Sequence, residues 1–315
     1  MPDWIAKTSD AAKSTWNVIR SAGPFVISQS EAISDAYARH QLKLASVEAG
    51  KELLLHEVHT LGQIRKKLLI RYADSGPEHR VLTRRDIAEV DASLRQLRVG
   101  EKALNYLPAL SAKSAAPAGA ETEISPHWMD KFSELARAHN EPWREDLLAR
   151  ALATESATPG TVPPRTLWLL GTLEENAFNA LATILDHSSF IAGSPMIPNH
   201  QPFNDKPIPN CELGDTVSIG NLIYQLEDLG LIADTLNTSR NLPKGNTYIT
   251  YYGAKRLTVR SVTDELRIPG VILTGLGLSI ASFYEPRTNP LGAEIFETWI
   301  ASLDKSKFSI DAEAE

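Results

Sequence analysis

Cysteine is almost absent from this chain of 315 residues: Cys211 stands alone, so no internal disulfide can form. Long apolar runs are lacking too. The longest such stretch, Val271 to Tyr284, is interrupted by Thr274, Gly275, Gly277 and Ser279, and is too short and broken to cross a bilayer. The start, Met1-Pro2-Asp3-Trp4, has no basic segment leading into an apolar one, so no secretory leader is expected. Both absences favour a cytoplasmic location. Strong basicity is also missing. Lys and Arg number 16 against 13 Asp and Glu in residues 1–107, 7 against 12 in 108–210 and 9 against 14 in 211–315, for a net charge of −7. A dedicated duplex binder needs several cationic phosphate contacts, which the acidic last third is poorly suited to supply.

What is present begins with helix. Trp4, Ile5, Ala12, Trp16 and Ile19 recur at helical spacing as far as Gly23-Pro24, with Lys7, Lys13 and Arg20 on the polar side. Such an amphipathic helix can touch an anionic membrane peripherally, although docking on the next helix is the commoner outcome. From Ser28 to Tyr72 no proline occurs and Leu, Ala, Glu, Lys and Arg dominate, so a long helix is expected, bent near Gly50 or Gly62. Its stripe of Leu44, Val47, Leu54, Val58, Leu61 and Leu68 keeps no clean heptads, which favours packing within the chain over an extended coiled coil and leaves self-association open. Thr83 with Asp86 starts another helix, expected to end near Tyr106 before Pro108. Residues 1–107 are thus expected to form a helical arm.

Residues 108–124 are mostly small, with two prolines and no apolar period, the pattern of a linker. Four helix starts then follow closely, at Ser125-Pro126, Asn140-Glu141-Pro142, Pro163-Pro164 and Thr172-Leu173-Glu174-Glu175. Each opens an apolar face, so 125–191 is expected to be a compact four-helix core, with Trp128, Trp143 and Trp168 inside it. Residues 192–212, with five prolines, read as an irregular connector. Thr216 to Leu229 reads as helix, Leu231 to Thr235 as a short strand, 237–246 as loop and Thr247 to Tyr252 as strand. That is the order of a winged-helix tail, here spanning 213–304 and closed by a helix from Pro290 to Leu303, with 305–315 as an acidic tail. The expected class is therefore mainly α: a long-helix arm, a four-helix core and a winged-helix-like α+β module.

Trp143, Leu147-Leu148-Ala149, Glu155, Pro159-Gly160 and Arg165-Thr166-Leu167 stand in the order of the core of the bacterial domain-of-unknown-function 2806 family. The chain resembles that family from about residue 80 to 191 and more loosely beyond 211. The family in turn is distantly similar to the abortive-infection alpha proteins, whose winged end closes on a Leu-Thr-x-Leu-Gly phrase like Leu273-Thr274-Gly275-Leu276-Gly277-Leu278 here. The resemblance implies a fold and a setting in phage defence or stress response. It implies no catalytic residue.

Clusters with chemistry to offer are few. Arg65, Lys66, Lys67 and Arg71, joined by Arg80, Arg84, Arg85, Arg95 and Arg98, form the densest basic group. A solvated helix face explains most groups of this kind, and an acidic partner or nucleic acid explains the others. Arg240 and Lys244 in the expected wing, followed by Lys255, Arg256 and Arg260, are candidate phosphate contacts. The expected recognition helix, Thr216 to Leu229, carries Glu227 and Asp228 and no cation, so base readout lacks its usual donors. Glu52, His56 and His59 share a helix face without matching a metal signature, and no metal or cofactor is expected. Asp186-His187-Ser188-Ser189 has triad residue types only in adjacency. Glu155 and Arg165, flanking the Pro159-Gly160 break, read as a salt bridge or cap rather than a catalytic pair. The sequence points to a non-enzymatic interaction or assembly protein with a protein partner or self-association. A nucleic-acid-binding regulator is the alternative.

Overall fold

The proline-free stretch and the segment after it fold back on one another as a helical hairpin, α1 (Val47–Asp74) and α2 (Pro77–Ser111). The computed structural model describes Val18 and residues 47–111, 124–214, 216–233, 238–261 and 265–312; the expected first helix and residues 112–123 of the expected linker lie outside the described residues. Pro77 occupies the first helical position, where its missing N–H costs nothing. The helix therefore starts six residues before the expected Thr83 cap, and Thr83 instead donates its hydroxyl to the carbonyl of His79 inside the helix at 3.0 Å. At the other end α2 continues past the expected stop at Pro108 to Ser111.

The chain divides into two compact units, Met1–Thr172 and Leu173–Glu315. In the first, the C-terminal half of α2 packs on α3 (Pro126–Ala138) and α4 (Pro142–Ala157), with α5 (Pro164–Thr172) closing the cluster. Ser125 caps α3 by accepting from the Trp128 N–H at 3.2 Å, as expected from the sequence. α4 is capped by Glu141 rather than Asn140, without a side-chain bond. Leu97, Leu104 and Leu107 of α2 are buried, as are Trp128, Phe132, Leu148, Leu152 and Leu170. Lys102 meets Glu145 at 2.9 Å and Gln96 meets Ser133 at 3.0 Å between α2 and its neighbours. Four helices do pack together, but the fourth is α2. The helix expected in that place, α6 (Glu175–Asp186), belongs to the second unit.

The second unit is built on a seven-stranded antiparallel sheet, so the mainly α class is overturned: the protein is α+β. The strands are β1 (Ser189–Ile191), β2 (Ser194–Pro198), β3 (Ser239–Leu242), β4 (Thr247–Tyr252), β5 (Lys255–Ser261), β6 (Leu266–Ile272) and β7 (Phe308–Ala312), in the order β3-β6-β2-β1-β4-β5-β7. The expected wing does not form, because β3 pairs with β6 while β4 lies between β1 and β5. Part of the expected irregular connector is a strand, and part of the expected acidic tail is the edge strand β7. α7 (Ile219–Asp228), capped by Ser218 and Asn221, falls inside the expected helix, and α9 (Pro290–Ser302) matches the last one. α8 (Gly275–Ala281) lies between β6 and α9 in the chain. Phe296, Trp299 and Leu303, on or just past α9, pack with Ile191, Met196, Tyr252, Leu257, Val259 and Phe308 from the sheet as the core of this unit. No described helix is long and apolar enough to cross a membrane.

Candidate functional site

The Pro-Gly break between α4 and α5 is held from inside. Glu155 is buried at 2% exposure, and its two carboxylate oxygens accept from the backbone N–H groups of Gly160 at 2.7 Å and Val162 at 2.8 Å. Gly160 sits at φ +87, which suits glycine. This is the cap reading of the sequence, with backbone donors in place of Arg165, which stands exposed on α5. Thr166, Leu147 and Leu148 are buried; Pro159 shares the turn with Gly160; Trp143 is half-buried under the Arg144 guanidinium at 4.5 Å. A glutamine at 155 presents one acceptor and one donor to two donors, so Glu155→Gln should cost about 2 kcal/mol in urea denaturation, and no measurable loss would refute this role.

The far end of the α1–α2 hairpin carries the densest positive charge in the sequence. Residues 63–85 hold seven cations, Arg65, Lys66, Lys67, Arg71, Arg80, Arg84 and Arg85, against Asp74 and Glu78. Arg65 is tied to Asp91 of α2 at 2.5 Å, and this partner raises its pKa further. Arg80 leans on the Tyr72 ring and donates to the Ser75 carbonyl at 2.9 Å. Lys66, Lys67, Arg71, Arg84 and Arg85 stand exposed, together with Ile70 at 56%, Val81 at 72% and Leu82 at 63%. The other expected cation pair behaves differently. Arg240 of β3 is half-buried and donates to the carbonyl of Ile191 at 2.6 Å, and burial lowers its pKa; it locks the β1–β2 turn. Lys244 remains exposed in the β3–β4 loop.

In the second unit, side chains from distant parts of the chain converge on the end of α6. The Asp186 carboxylate accepts from the Tyr284 hydroxyl at 2.9 Å and the Arg287 backbone N–H at 2.7 Å, while its carbonyl accepts from the Tyr252 hydroxyl at 2.8 Å and Asn289 at 2.9 Å. Burial pushes the Asp186 carboxyl up, partly offset by those donors, and burial also pushes both tyrosines up. This hub has no local sequence signature, because Tyr252, Tyr284 and Asn289 lie far from Asp186 along the chain. No relay joins Asp186, His187 and Ser188. His187 bonds the Thr183 carbonyl at 2.7 Å, and Ser188 donates to that of Ile184 at 2.8 Å. Among the described residues no three His, Cys, Asp or Glu side chains are placed to hold a metal, the Glu52, His56 and His59 face included.

Two clefts flank this hub and share Tyr284, Arg287 and Thr288. The first, about 420 Å³, is lined by Phe190 and Tyr251, stacked across β1 and β4 at 5.0 Å, and by Leu278 and Ser282. The second, about 410 Å³, is more polar and includes Asp186, His187 and Cys211. Burial lowers the pKa of His187 and of His200. A lowered histidine contributes stability above the unfolded value near 6.5, lost as pH falls through that value toward the folded one. The urea midpoint should therefore fall between pH 7.5 and 5.5, and His187→Gln with His200→Gln should flatten the slope. An unchanged slope would contradict the buried neutral form.

The chain belongs to the family described as Protein of unknown function (DUF2806), which matches residues 94–291. No curated protein and no solved structure matches it. The first cleft lies wholly within the matched span, and the hairpin tip precedes it.

Proposed function

We propose that this member of the family is a cytoplasmic, non-enzymatic interaction protein that grips an acidic protein surface with the tip of its α1–α2 hairpin. One observation supports the reading above the others: between Arg65 and its partner Asp91 the hairpin holds seven cations against five carboxylates, and five of those cations stand exposed. Helices of 28 and 35 residues carry the turn between them beyond the α3–α5 cluster, whose contact with α2 reaches Glu89 through Arg137. Exposed Ile70, Val81 and Leu82 among the cations suit a protein partner, since a phosphate backbone gains nothing from apolar side chains. The leading turn carries Asp74 and Glu78, so an anionic membrane would meet carboxylates first. The nucleic-acid regulator loses ground with Arg240 engaged inside the fold and α7 without a cation. A phage-defence or stress-response setting is proposed on the resemblance to abortive-infection proteins alone, and unchanged phage plating on a deletion strain would remove it.

Binding of the full chain to a polyglutamate peptide and to a random duplex tests the docking. Replacing Lys66, Lys67 and Arg71 with Gln should weaken peptide binding about tenfold at low salt, from three rim charges together. Lys305→Gln should leave it unchanged. Equal binding by the triple variant, or a preference for the duplex, would overturn the proposal.

A further inference from the structure

The stacked-aromatic cleft of the second unit has a chemistry separate from the hairpin. Its lining contains one cation, Arg287, and no carboxylate, in a chain of net charge −7. Arg287 is fixed by its backbone N–H on Asp186, whose carboxylate also feels the guanidinium charge, while the residue is exposed at the cleft that Thr288 also lines. An anion is the complementary charge. Phe190 and Tyr251 stack on one another at the cleft, and a planar ring gains from extending such a stack on the outer face of one of them. The hydroxyls of Ser188 and Ser282 each donate to a helix carbonyl, Ile184 at 2.8 Å and Ser279 at 2.7 Å. With their protons engaged, both offer only lone pairs to the cleft, which favours an exocyclic amine with two N–H donors over a lactam with one. Tyr284 and Tyr252, held by Asp186, keep the walls in place before any ligand enters.

We infer that this cleft binds a nucleotide: a planar base with an exocyclic amine extending the Phe190–Tyr251 stack, and its phosphate at Arg287. A volume of about 420 Å³ is in the range of small-molecule sites, and suits one nucleotide. The same chemistry is offered by a free mononucleotide and by the end of a single strand.

Calorimetric titration of the full chain with AMP, adenosine, inosine monophosphate and a short single-stranded oligodeoxyadenylate tests this. AMP should bind, with adenosine and inosine monophosphate weaker. Arg287→Gln, whose backbone bond to Asp186 is retained, should weaken AMP about tenfold and leave adenosine nearly unchanged, as loss of one charge-assisted contact predicts. Tyr251→Leu should weaken AMP and adenosine alike, with circular dichroism and melting used to confirm that both variants fold. Tighter AMP than oligonucleotide assigns the free nucleotide, the reverse assigns the strand end, and either upholds the inference. Absence of AMP and oligonucleotide binding at millimolar concentration, or binding indifferent to Arg287→Gln in a folded variant, would overturn it.

Discussion

Trp128→Ala is expected to destabilise the chain by about 3–5 kcal/mol, and Trp168→Ala by no more than about 0.5. The two tryptophans sit on neighbouring helices of one cluster, and both look like core residues in sequence. Trp128 is 2% exposed, stacks on Phe132 at 5.3 Å and donates its indole N–H to the Val162 carbonyl at 2.9 Å. Truncation removes a large buried side chain, breaks the stack and leaves a buried acceptor without its donor, next to the turn that Glu155 caps. Trp168 is 64% exposed and has little to lose. Urea denaturation followed by far-ultraviolet circular dichroism compares them. Equal costs would mean that α5 is packed the other way round.

Gly277→Ala should be as damaging, at about 3 kcal/mol or more, for a different reason. A Cβ at 277 would stand 2.1 Å from the Leu231 carbonyl oxygen, closer than any contact allows. That oxygen cannot retreat easily, since it accepts from the Thr274 N–H at 3.0 Å, beside the bridge between Ile232 and Leu273. Gly275, two residues earlier in the same helix, has nothing within 4 Å of a Cβ, so Gly275→Ala should be neutral or slightly stabilising. The pair separates close approach from general intolerance in α8. Loss of melting cooperativity in both variants would contradict the account.

The helices were legible because their punctuation is local: Ser125-Pro126 and Asn289-Pro290 cap and open helices with side chains only one to three residues away. The strands were less so. β1 and β2 are joined by Ala192 and Gly193 at φ +50 and +82, a turn usually announced by Asn-Gly, so the hairpin passed for a proline-rich connector. β6 contains Pro269-Gly270, which reads as a break, yet Gly270 lies so close to Ile197 that a Cβ would sit 2.3 Å from its carbonyl oxygen. β5 does alternate, with Leu257 and Val259 buried and Arg256 and Arg260 exposed, but over seven residues that period is short and its cations also fit a solvated loop. The Pro159-Gly160 break pointed to a salt bridge or cap at Glu155, but nothing local pointed to the hub at Asp186, whose partners lie 66 to 103 residues away. Spatial convergence over such distances leaves no trace in local pattern.

The docking claim is tested most directly by mapping where an acidic partner touches the chain. Acetylation rates at individual lysines, measured by mass spectrometry with and without polyglutamate, report that place without any substitution. Lys66 and Lys67 on the hairpin should be protected, while Lys244 and Lys305 in the second unit, both exposed, keep their rates. Protection at Lys244 and Lys305 with Lys66 and Lys67 unchanged would contradict the account.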